Sequence, residues 1–261
     1  MKVVILCGGQ GTRLRDITEL MPKPMSPVGD RPILWHIMKI YSHYGIKEFI
    51  LCLGYKGWKI KEFFLNFQAM TGDFTVTLGD HKTVNFHQSA DEAEWKVTLA
   101  ETGDDTMTGA RLWKVRKYLE QEDHFCLTYG DGVADVNVSN LIEFHKKRNA
   151  IGTITGVRPM SRYGRLSIKD DLAVDFDEKA GSDEAWVNGG FMVFDAKRVW
   201  DYFWPEDHLV LEKEPLPAMV KDRQLSVYRH DGFWVGMDTM REYTLLNDLW
   251  TRGKAPWKVW K

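Results

Sequence analysis

The sequence predicts an α/β protein, with a single Rossmann-like domain whose mixed, mainly parallel sheet is flanked by helices and carries a small antiparallel excursion. Short apolar runs alternate with segments of helical periodicity at the start of the chain and again from residue 124. The first apolar run stops at a pair of glycines, which suits a central parallel strand. The 261 residues are 44% hydrophobic and can bury one full core. Because no linker or repeat divides them, one domain is expected over residues 1–261.

Four segments near the start alternate between strand and helix patterns. Lys2 to Cys7 is a continuous apolar run that predicts a strand buried on both faces. Arg31 to Tyr44 carries apolar side chains at helical spacing and predicts the first helix. A second strand is predicted over Glu48 to Leu53, and a second helix over Trp58 to Phe67. Successive units of this kind favour parallel pairing of the strands.

The alternation lapses in the next part of the chain. Phe74 to Leu78, Val84 to His87 and Lys96 to Ala100 have the pattern of short strands separated by polar breaks. These three segments predict the small antiparallel excursion.

The alternation then resumes, so the second half of the chain is expected to complete the sheet of the first. Further strands are predicted over His124–Tyr129, Ile151–Val157, Arg165–Ile168, Leu172–Phe176, Phe191–Phe194 and Leu225–Arg229. Further helices are predicted over Gly109–Leu119, Ser139–Arg148, Ala196–Phe203 and Arg241–Trp250.

The charge balance and the cysteines restrict the possible partners and the compartment. A formal net charge of -2 gives no field strong enough to gather nucleic acid or an anionic membrane, so neither is expected as a partner. The opening apolar run is too short for a secretory or membrane segment, which predicts a cytoplasmic protein. Cys7, Cys52 and Cys126 each lie in a short apolar run without CxxC spacing. They are expected to be buried, inert thiols in a reducing compartment.

The segment from Gly8 to Leu14 places three glycines and Arg13 directly after the first strand. Glycines allow backbone N–H groups to close around phosphate oxygens, and a guanidinium adds a bidentate contact. The spacing is neither that of a Walker A loop nor that of the GxGxxG fingerprint. A tight turn with a surface arginine is the alternative interpretation. The segment therefore indicates a phosphate site without naming the ligand.

Lys23, Asp131 and Asp238 are charged side chains in settings that suit phosphate chemistry. Lys23 stands between two prolines, which stiffen the backbone that carries its ammonium group. Asp131 follows a predicted buried strand, and Asp238 precedes the last helix. Two carboxylates of this kind suit Mg²⁺ shared with phosphates. Each motif alone also has a purely structural interpretation: a surface turn for Lys23, a turn signal for Asp131 and a helix N-cap for Asp238.

Taken together, these residues resemble the sugar-1-phosphate nucleotidylyltransferases. The family signature G-G-x-G-T-R-L followed by P-K-P-M appears as Gly8 to Leu14 and Pro22 to Met25. Within that family the resemblance is strongest to the glucose-1-phosphate cytidylyltransferases. It rests on further matches that span nearly the whole chain, namely Ile33 to Lys39, Gly54 to Gly57, Asp104 to Arg111, Thr128 to Asp135 and Lys254 to Lys258.

The resemblance implies a role for each matching position. CTP and glucose 1-phosphate are the implied substrates and Mg²⁺ the implied cofactor. The nucleotide half, about residues 1–135, would bind CTP through Leu6, Cys7, Gly8, Gly9, Gln10, Gly11, Thr12, Arg13, Lys23, Thr106, Arg111 and Gly130. The sugar-phosphate half, about residues 136–261, would use Glu178, Lys179, Asn188, Gly189 and Trp234. Asp131 and Asp238 would hold the metal, and the implied catalytic set is Arg13, Lys23, Asp131, Lys179 and Asp238.

Two departures from the family pattern and three alternatives remain open at this point. The family usually has proline where Ala180 stands, and this departure loosens the aim of Lys179 and leaves the sugar acceptor open. The family also often has a basic residue where Met21 stands. The alternatives are a sister enzyme that uses another nucleotide, one that uses another phosphorylated acceptor, and a non-catalytic subunit with the same fold. A homo-oligomer is also predicted, because Trp250, Trp257 and Trp260 come so late in the chain that a second subunit is expected to cover them.

Overall fold

The computed structural model describes residues 1–9, 11, 14, 19–78, 83–87, 91–159, 165–169, 172–177 and 186–261, with the backbone alone for 165–169 and 172–177. Gln10, Thr12, Arg13, Glu178 and Lys179, which the sequence analysis places in the site, lie outside these residues.

The described strands are numbered in chain order. They are β1 (Val3–Leu6), β2 (Pro27–Val28), β3 (Arg31–Pro32), β4 (Glu48–Leu53), β5 (Phe74–Thr77), β6 (Thr83–Phe86), β7 (Lys96–Glu101), β8 (His124–Tyr129), β9 (Gly132–Ala134), β10 (Gly152–Val157), β11 (Arg165–Lys169), β12 (Leu172–Asp177), β13 (Val187–Asp195), β14 (Leu225–His230) and β15 (Trp234–Gly236). The α-helices are α1 (Ile33–His43), α2 (Gly57–Leu65), α3 (Phe67–Thr71), α4 (Thr108–Val115), α5 (Val138–Arg148), α6 (Pro215–Lys221) and α7 (Met240–Thr251).

A seven-stranded central sheet confirms the predicted fold class. Its order is β14-β10-β13-β8-β1-β4-β7, and β13 runs antiparallel to both of its neighbours. β1 lies near the centre, where Val3 pairs in parallel with Phe49 on one side and with Cys126 on the other. Two buried clusters cover the faces of the sheet. Strands of both halves of the chain join this one sheet, as predicted.

Two sequence predictions are wrong in detail, and one helix was not predicted. Lys96 to Ala100 does not belong to an antiparallel excursion, because β7 pairs in parallel with β4 and forms an edge of the central sheet. The antiparallel excursion is instead the hairpin of β5 and β6, together with a second pair, β11 and β12. The helix predicted over Ala196 to Phe203 is only a 3-10 turn over Val199–Tyr202. The sequence analysis made no prediction for helix α6, whose Pro215 occupies the first turn, where no N–H is needed.

The three cysteines are free and buried, as predicted. Burial raises the pKa of the Cys52 and Cys126 thiols to about 12 and that of the Cys7 thiol well above its ordinary value. All three are therefore neutral at physiological pH and poor nucleophiles. Within the described part of the chain, none of the helices is long and apolar enough to cross a bilayer.

The late tryptophans pack against their own chain. Trp257 is fully buried and stacks on Phe233 with ring centroids 5.6 Å apart. Trp250 and Trp260 pack edgewise or tilted on His36 of α1 at 4.5 and 6.1 Å. For Trp257 the expectation that a second subunit covers the ring is therefore wrong, because its own chain encloses it. Trp250 and Trp260 are only partly buried, and their burial by a second subunit stays a prediction. The homo-oligomer itself stays a prediction.

We expect Trp257→Ala to lower the free energy of unfolding by about 3–5 kcal/mol, because it empties a large, fully enclosed site in the core. Urea denaturation followed by circular dichroism measures the change. Trp58→Ala is the matched control, since Trp58 is 57% exposed, and we expect a change within about 0.5 kcal/mol for it. Equal losses in the two variants would contradict the assignment of Trp257 to the core.

Candidate active site

A cleft of about 490 Å³ opens at the carboxyl ends of β1 and β8, the edge of an open α/β sheet where ligands gather. Its floor is the chain that leaves β1, from Leu6 to Gly9, and its walls are residues 104–108 and 129–131. The predicted nucleotide residues that line it are Leu6, Cys7, Gly8, Gly9, Gly11, Lys23, Thr106, Arg111 and Gly130. The structure therefore brings together the described members of the predicted nucleotide set.

Lys23 joins the two predicted metal ligands. Its Nζ donates to Asp131 Oδ2 at 2.7 Å and to Asp238 Oδ1 at 2.8 Å. The backbone of Lys23 lies in a 3-10 turn over Lys23–Met25, which begins after Pro22 and buries Pro24. The side chain of Lys23 is only 12% exposed. Three charged residues that are far apart in the sequence thus form one half-buried cluster, which we call the Lys23 cluster.

The charge state of Lys23 follows from its two partners. Burial lowers the pKa of Lys23, but the charges and hydrogen bonds of Asp131 and Asp238 raise it by more, so the pKa lies above its ordinary 10.5. A lysine whose pKa is higher in the folded than in the unfolded protein stabilises the folded state. This stabilisation is complete at pH values below the unfolded-state pKa and is lost as the pH rises through the folded-state pKa. The ammonium is therefore fully charged at neutral pH.

A small two-stranded sheet brings Asp131 and Asp238 together. Asp131 follows β8, and its carbonyl accepts the N–H of Met237 at 2.8 Å. β9 and β15 pair antiparallel, with Gly132 opposite Gly236, so the residues that flank the pair lie side by side. Thr239 and Glu242 form the capping box of α7, which makes Thr239 the N-cap. The N-cap interpretation of Asp238 is therefore wrong.

The Lys23 cluster has the donor chemistry for one magnesium ion. Two carboxylate oxygens contact the same nitrogen, so they are close enough to share a single cation. No group of three or more His, Cys, Asp or Glu side chains among the described residues could form a metal site. Mg²⁺ commonly binds to one or two carboxylates and takes its other ligands from phosphates and water. Asp131 and Asp238 fit that pattern.

Arg111 contacts the first residue of the glycine-rich segment from Gly8 to Leu14, which we call the glycine loop. Its guanidinium donates to the carbonyls of Gly8 at 3.1 Å, Leu53 at 2.9 Å and Asp104 at 3.2 Å. A Cβ at Gly8 would lie 2.0 Å from Arg111 Cζ, so this close approach requires glycine. Burial lowers the pKa of Arg111, although neighbouring acidic groups oppose the shift. These bonds go to the protein itself, and a direct contact of Arg111 with cytidine stays a prediction.

Lys114 holds Thr106, the other residue predicted to contact cytidine. Its ammonium donates to Thr106 Oγ1 at 2.9 Å and to the Thr102 carbonyl at 2.8 Å, and it pairs with Asp207 at 2.6 Å. Three acceptors match the three protons of the ammonium. The Thr106 hydroxyl therefore accepts a bond from Lys114 at the wall of the cleft.

The described sugar-phosphate residues lie together beside Tyr129. Asn188 Oδ1 accepts the N–H of Gly190 at 2.9 Å, and the indole N–H of Trp234 donates to the Gly189 carbonyl at 2.7 Å. These bonds fix the turn from Asn188 to Gly190. The structure thus brings Asn188, Gly189 and Trp234 together, while their binding role stays a prediction.

Sequence reasoning missed several polar residues of this region, among them Tyr129, Glu212 and Lys114, as well as Asp104, Asp105, Thr108 and His208 in the cleft lining. Tyr129 lines the cleft, Glu212 contacts Tyr129, and Lys114 holds Thr106. The position of Tyr129 at the end of a predicted strand was an available signal for it. Glu212 lies in a segment without secondary structure, and no pattern in the sequence points to it.

Comparison with known proteins assigns the family. The sequence pattern described as nucleotidyl transferase matches residues 2–248. The chain belongs to the nucleotidyl transferase family. This match confirms that the chain is a nucleotidyl transferase, as the resemblance in the sequence implies. The glycine loop and the Lys23 cluster both lie within the matched residues.

Two relatives that align over the full chain are both named as glucose-1-phosphate cytidylyltransferases. The probable glucose-1-phosphate cytidylyltransferase of Bacillus subtilis (strain 168) is 45% identical over 260 residues, which cover 100% of both chains. The glucose-1-phosphate cytidylyltransferase of Salmonella typhimurium is 44% identical over 261 residues, with the same coverage. Among solved structures, HddC from Yersinia pseudotuberculosis complexed with GMP-PN superimposes with a TM-score of 0.68 at 22% identity, covering 95% of this chain and 99% of that one. At that identity the superposition shows the fold alone.

Proposed function

We propose that this nucleotidyl transferase is a glucose-1-phosphate cytidylyltransferase, which transfers the cytidylyl group of CTP to glucose 1-phosphate and releases pyrophosphate. The Lys23 cluster carries the catalytic part of the proposal, because Lys23 and Asp131 line the cleft and Asp238 contacts the same ammonium. The two full-length relatives support the choice of base and sugar.

The reaction joins two polyanions, and their repulsion is the main barrier to approach. An oxygen of the sugar phosphate attacks the α-phosphorus of CTP, and the bond to the departing pyrophosphate breaks. Two like unit charges 4 Å apart repel by about 4 kcal/mol at an effective dielectric constant of about 20. The attacking oxygen is already ionised at neutral pH, so no general base is needed. Catalysis here is mostly positioning and charge stabilisation.

Some of the described residues would neutralise phosphate charge, and others would position the phosphates. Lys23 supplies a permanently charged ammonium at the cleft, and Asp131 and Asp238 would hold the Mg²⁺. Bound Mg²⁺ supplies charge neutralisation at the phosphate oxygens. The glycine-rich segment that follows β1 is proposed to bind the triphosphate, and Arg111 holds the Gly8 carbonyl. Arg13 and Lys179 are proposed as further cations for the phosphates.

The proposed location of the enzyme is the cytosol. The three buried free thiols support this, because proteins of reducing compartments keep their cysteines unpaired.

We expect purified protein to release pyrophosphate from CTP and glucose 1-phosphate in the presence of Mg²⁺, with kcat/KM for CTP at least about tenfold above that for UTP, dTTP or GTP. A coupled pyrophosphate assay with each nucleotide measures it, and mass spectrometry of the CTP reaction identifies CDP-glucose. Mannose 1-phosphate and galactose 1-phosphate are the matched acceptor controls.

The same assay separates the alternatives. A higher kcat/KM with another base or another sugar phosphate would identify a sister enzyme. No turnover with any pair, in protein that still binds CTP by calorimetry, would identify a non-catalytic subunit.

A further inference from the structure

Three side chains from separate segments meet at the edge of the cleft. The Tyr129 hydroxyl donates to Glu212 Oε1. The Thr108 hydroxyl donates to Glu212 Oε2 at 2.7 Å. Tyr129 ends β8, Thr108 begins α4, and Glu212 lies in the segment before α6. One carboxylate therefore ties a strand of the central sheet to a helix on the nucleotide side of the cleft.

Through Tyr129, Glu212 is connected to the segment that carries Asp131 and to the turn from Asn188 to Gly190. Tyr129 directly precedes Gly130 and Asp131, so its position fixes the start of the segment that carries the Asp131 carboxylate. Its hydroxyl lies 3.4 Å from Asn188 Nδ2, which donates to it. Its ring packs on Gly190, whose φ of +85° and lack of a Cβ permit the contact.

Through Thr108, Glu212 is connected to α4, the helix on the proposed nucleotide side of the cleft. Thr108 begins the helix that carries Arg111, and Arg111 holds the Gly8 carbonyl of the glycine loop. The Thr108 hydroxyl also accepts the N–H of Leu211 at 2.9 Å, which fixes the residue next to Glu212.

The hydrogen bonds of this network all run from donor to acceptor toward Glu212. Asn188 donates to Tyr129, Tyr129 donates to Glu212, Thr108 donates to Glu212, and Leu211 donates to Thr108. An ionised carboxylate accepts on both oxygens, whereas an amide accepts on one side only and must donate on the other. A carboxylate at position 212 can therefore accept from both hydroxyls, whereas an amide can accept from only one of them.

We propose that Glu212 is a positioning residue that sets the nucleotide side of the cleft against the Asp131 and sugar-phosphate side, through Thr108 and Tyr129. This inference rests on the proposed function, because it concerns how two bound phosphates are aligned. Glu212 needs no contact with either substrate for this role. In-line transfer depends on the relative placement of the reacting atoms, and a misplacement of about 1 Å can cost up to 100-fold in rate.

The test compares Glu212→Gln and Tyr129→Phe with wild type, using whichever nucleotide and sugar phosphate the wild type turns over fastest. Each change keeps the shape of the side chain and removes one part of the hydrogen-bond chain. We expect kcat to fall roughly tenfold in each variant while the KM values stay within about threefold, because each substrate still binds to its own side. The CTP dissociation constant from calorimetry should likewise stay within about threefold.

Coupling between the variants separates positioning from general destabilisation. Because both changes break one chain, we expect the double variant to have about the same kcat as Glu212→Gln alone. Glu214→Gln is the matched control, since Glu214 lies in the same segment and bonds only the Val210 N–H among the contacts described for its side chain; wild-type kinetics are expected for it.

Wild-type kcat in Glu212→Gln, or losses that multiply in the double variant, would overturn the inference. If Glu212→Gln fails to fold, Tyr129→Phe and Thr108→Val test the two hydrogen bonds to Glu212 separately. An unchanged kcat in both variants would also overturn the inference. Wild type that turns over a different substrate pair would contradict the proposed function and leave this comparison of variants intact.

Discussion

Asp131→Asn is expected to lower kcat by about 10³-fold, because the amide keeps the size of the side chain but removes a charge that the reaction needs. Asp131 is one of the two carboxylates that Lys23 joins, at 2.7 Å. With one carboxylate left, the site should bind Mg²⁺ more weakly. The Mg²⁺ concentration that gives half-maximal velocity is therefore expected to rise at least about tenfold. Steady-state assays across a magnesium titration measure both effects.

Asp123→Asn is the control for this substitution. Asp123 directly precedes the same strand, β8, at its amino end, and its side chain is 81% exposed. Kinetics and melting temperature close to wild type are expected for it. A kcat within about tenfold of wild type for Asp131→Asn would remove Asp131 from the catalytic set. An unfolded Asp131→Asn protein would instead direct the test to Asp238→Asn, for which the same loss is expected.

Lys23→Met is expected to lower kcat by about 10²–10³-fold, since methionine fills similar space without the charge that offsets phosphate repulsion. It also leaves Asp131 and Asp238 facing each other without their shared cation. We therefore expect a loss of roughly 1–3 kcal/mol of folding stability in EDTA. Part of that loss should be recovered in Mg²⁺, because a divalent ion can occupy the place of the ammonium. Thermal melts in EDTA and in excess Mg²⁺ measure this difference.

Lys39→Met supplies the matched control for the melts. Lys39 is similarly little exposed, at 14%, and pairs with Glu92 away from the cleft. Its removal is expected to lower the melting temperature equally in EDTA and in Mg²⁺. If Lys23→Met also melts at the same temperature in the two conditions, the two aspartates do not share a metal. Lys23→Arg restores the charge, and partial recovery of kcat would separate the need for charge from the need for a compact ammonium.

Most elements of the fold could be predicted because their signals are local. The apolar run before Gly8 predicts β1, and helical spacing from Arg31 predicts α1, each to within two residues. The errors lie where the deciding contact is distant. The segment Lys96 to Ala100 reads as an isolated short strand, and only its pairing with β4 shows that it extends the central sheet.

The candidate site divides in the same way. Lys23 and Asp131 stand out in the sequence because proline or glycine neighbours and a preceding strand mark them. Glu212 carries no such mark, since its partners Tyr129 and Thr108 lie 83 and 104 residues away. Likewise, the sequence does not show that the three late tryptophans pack on His36 of α1 in the same chain.

The sequence by itself determined the family, the parallel sheet and the identity of the charged residues, because motif spacing and hydrophobic periodicity are properties of neighbouring positions. Only the tertiary structure decided that Lys23 meets both aspartates, that Arg111 is engaged with backbone carbonyls, and that Glu212 joins the two sides of the cleft. Those contacts form between segments that pair only after the sheet has assembled. Their distances therefore depend on strand order and register, which no local pattern contains.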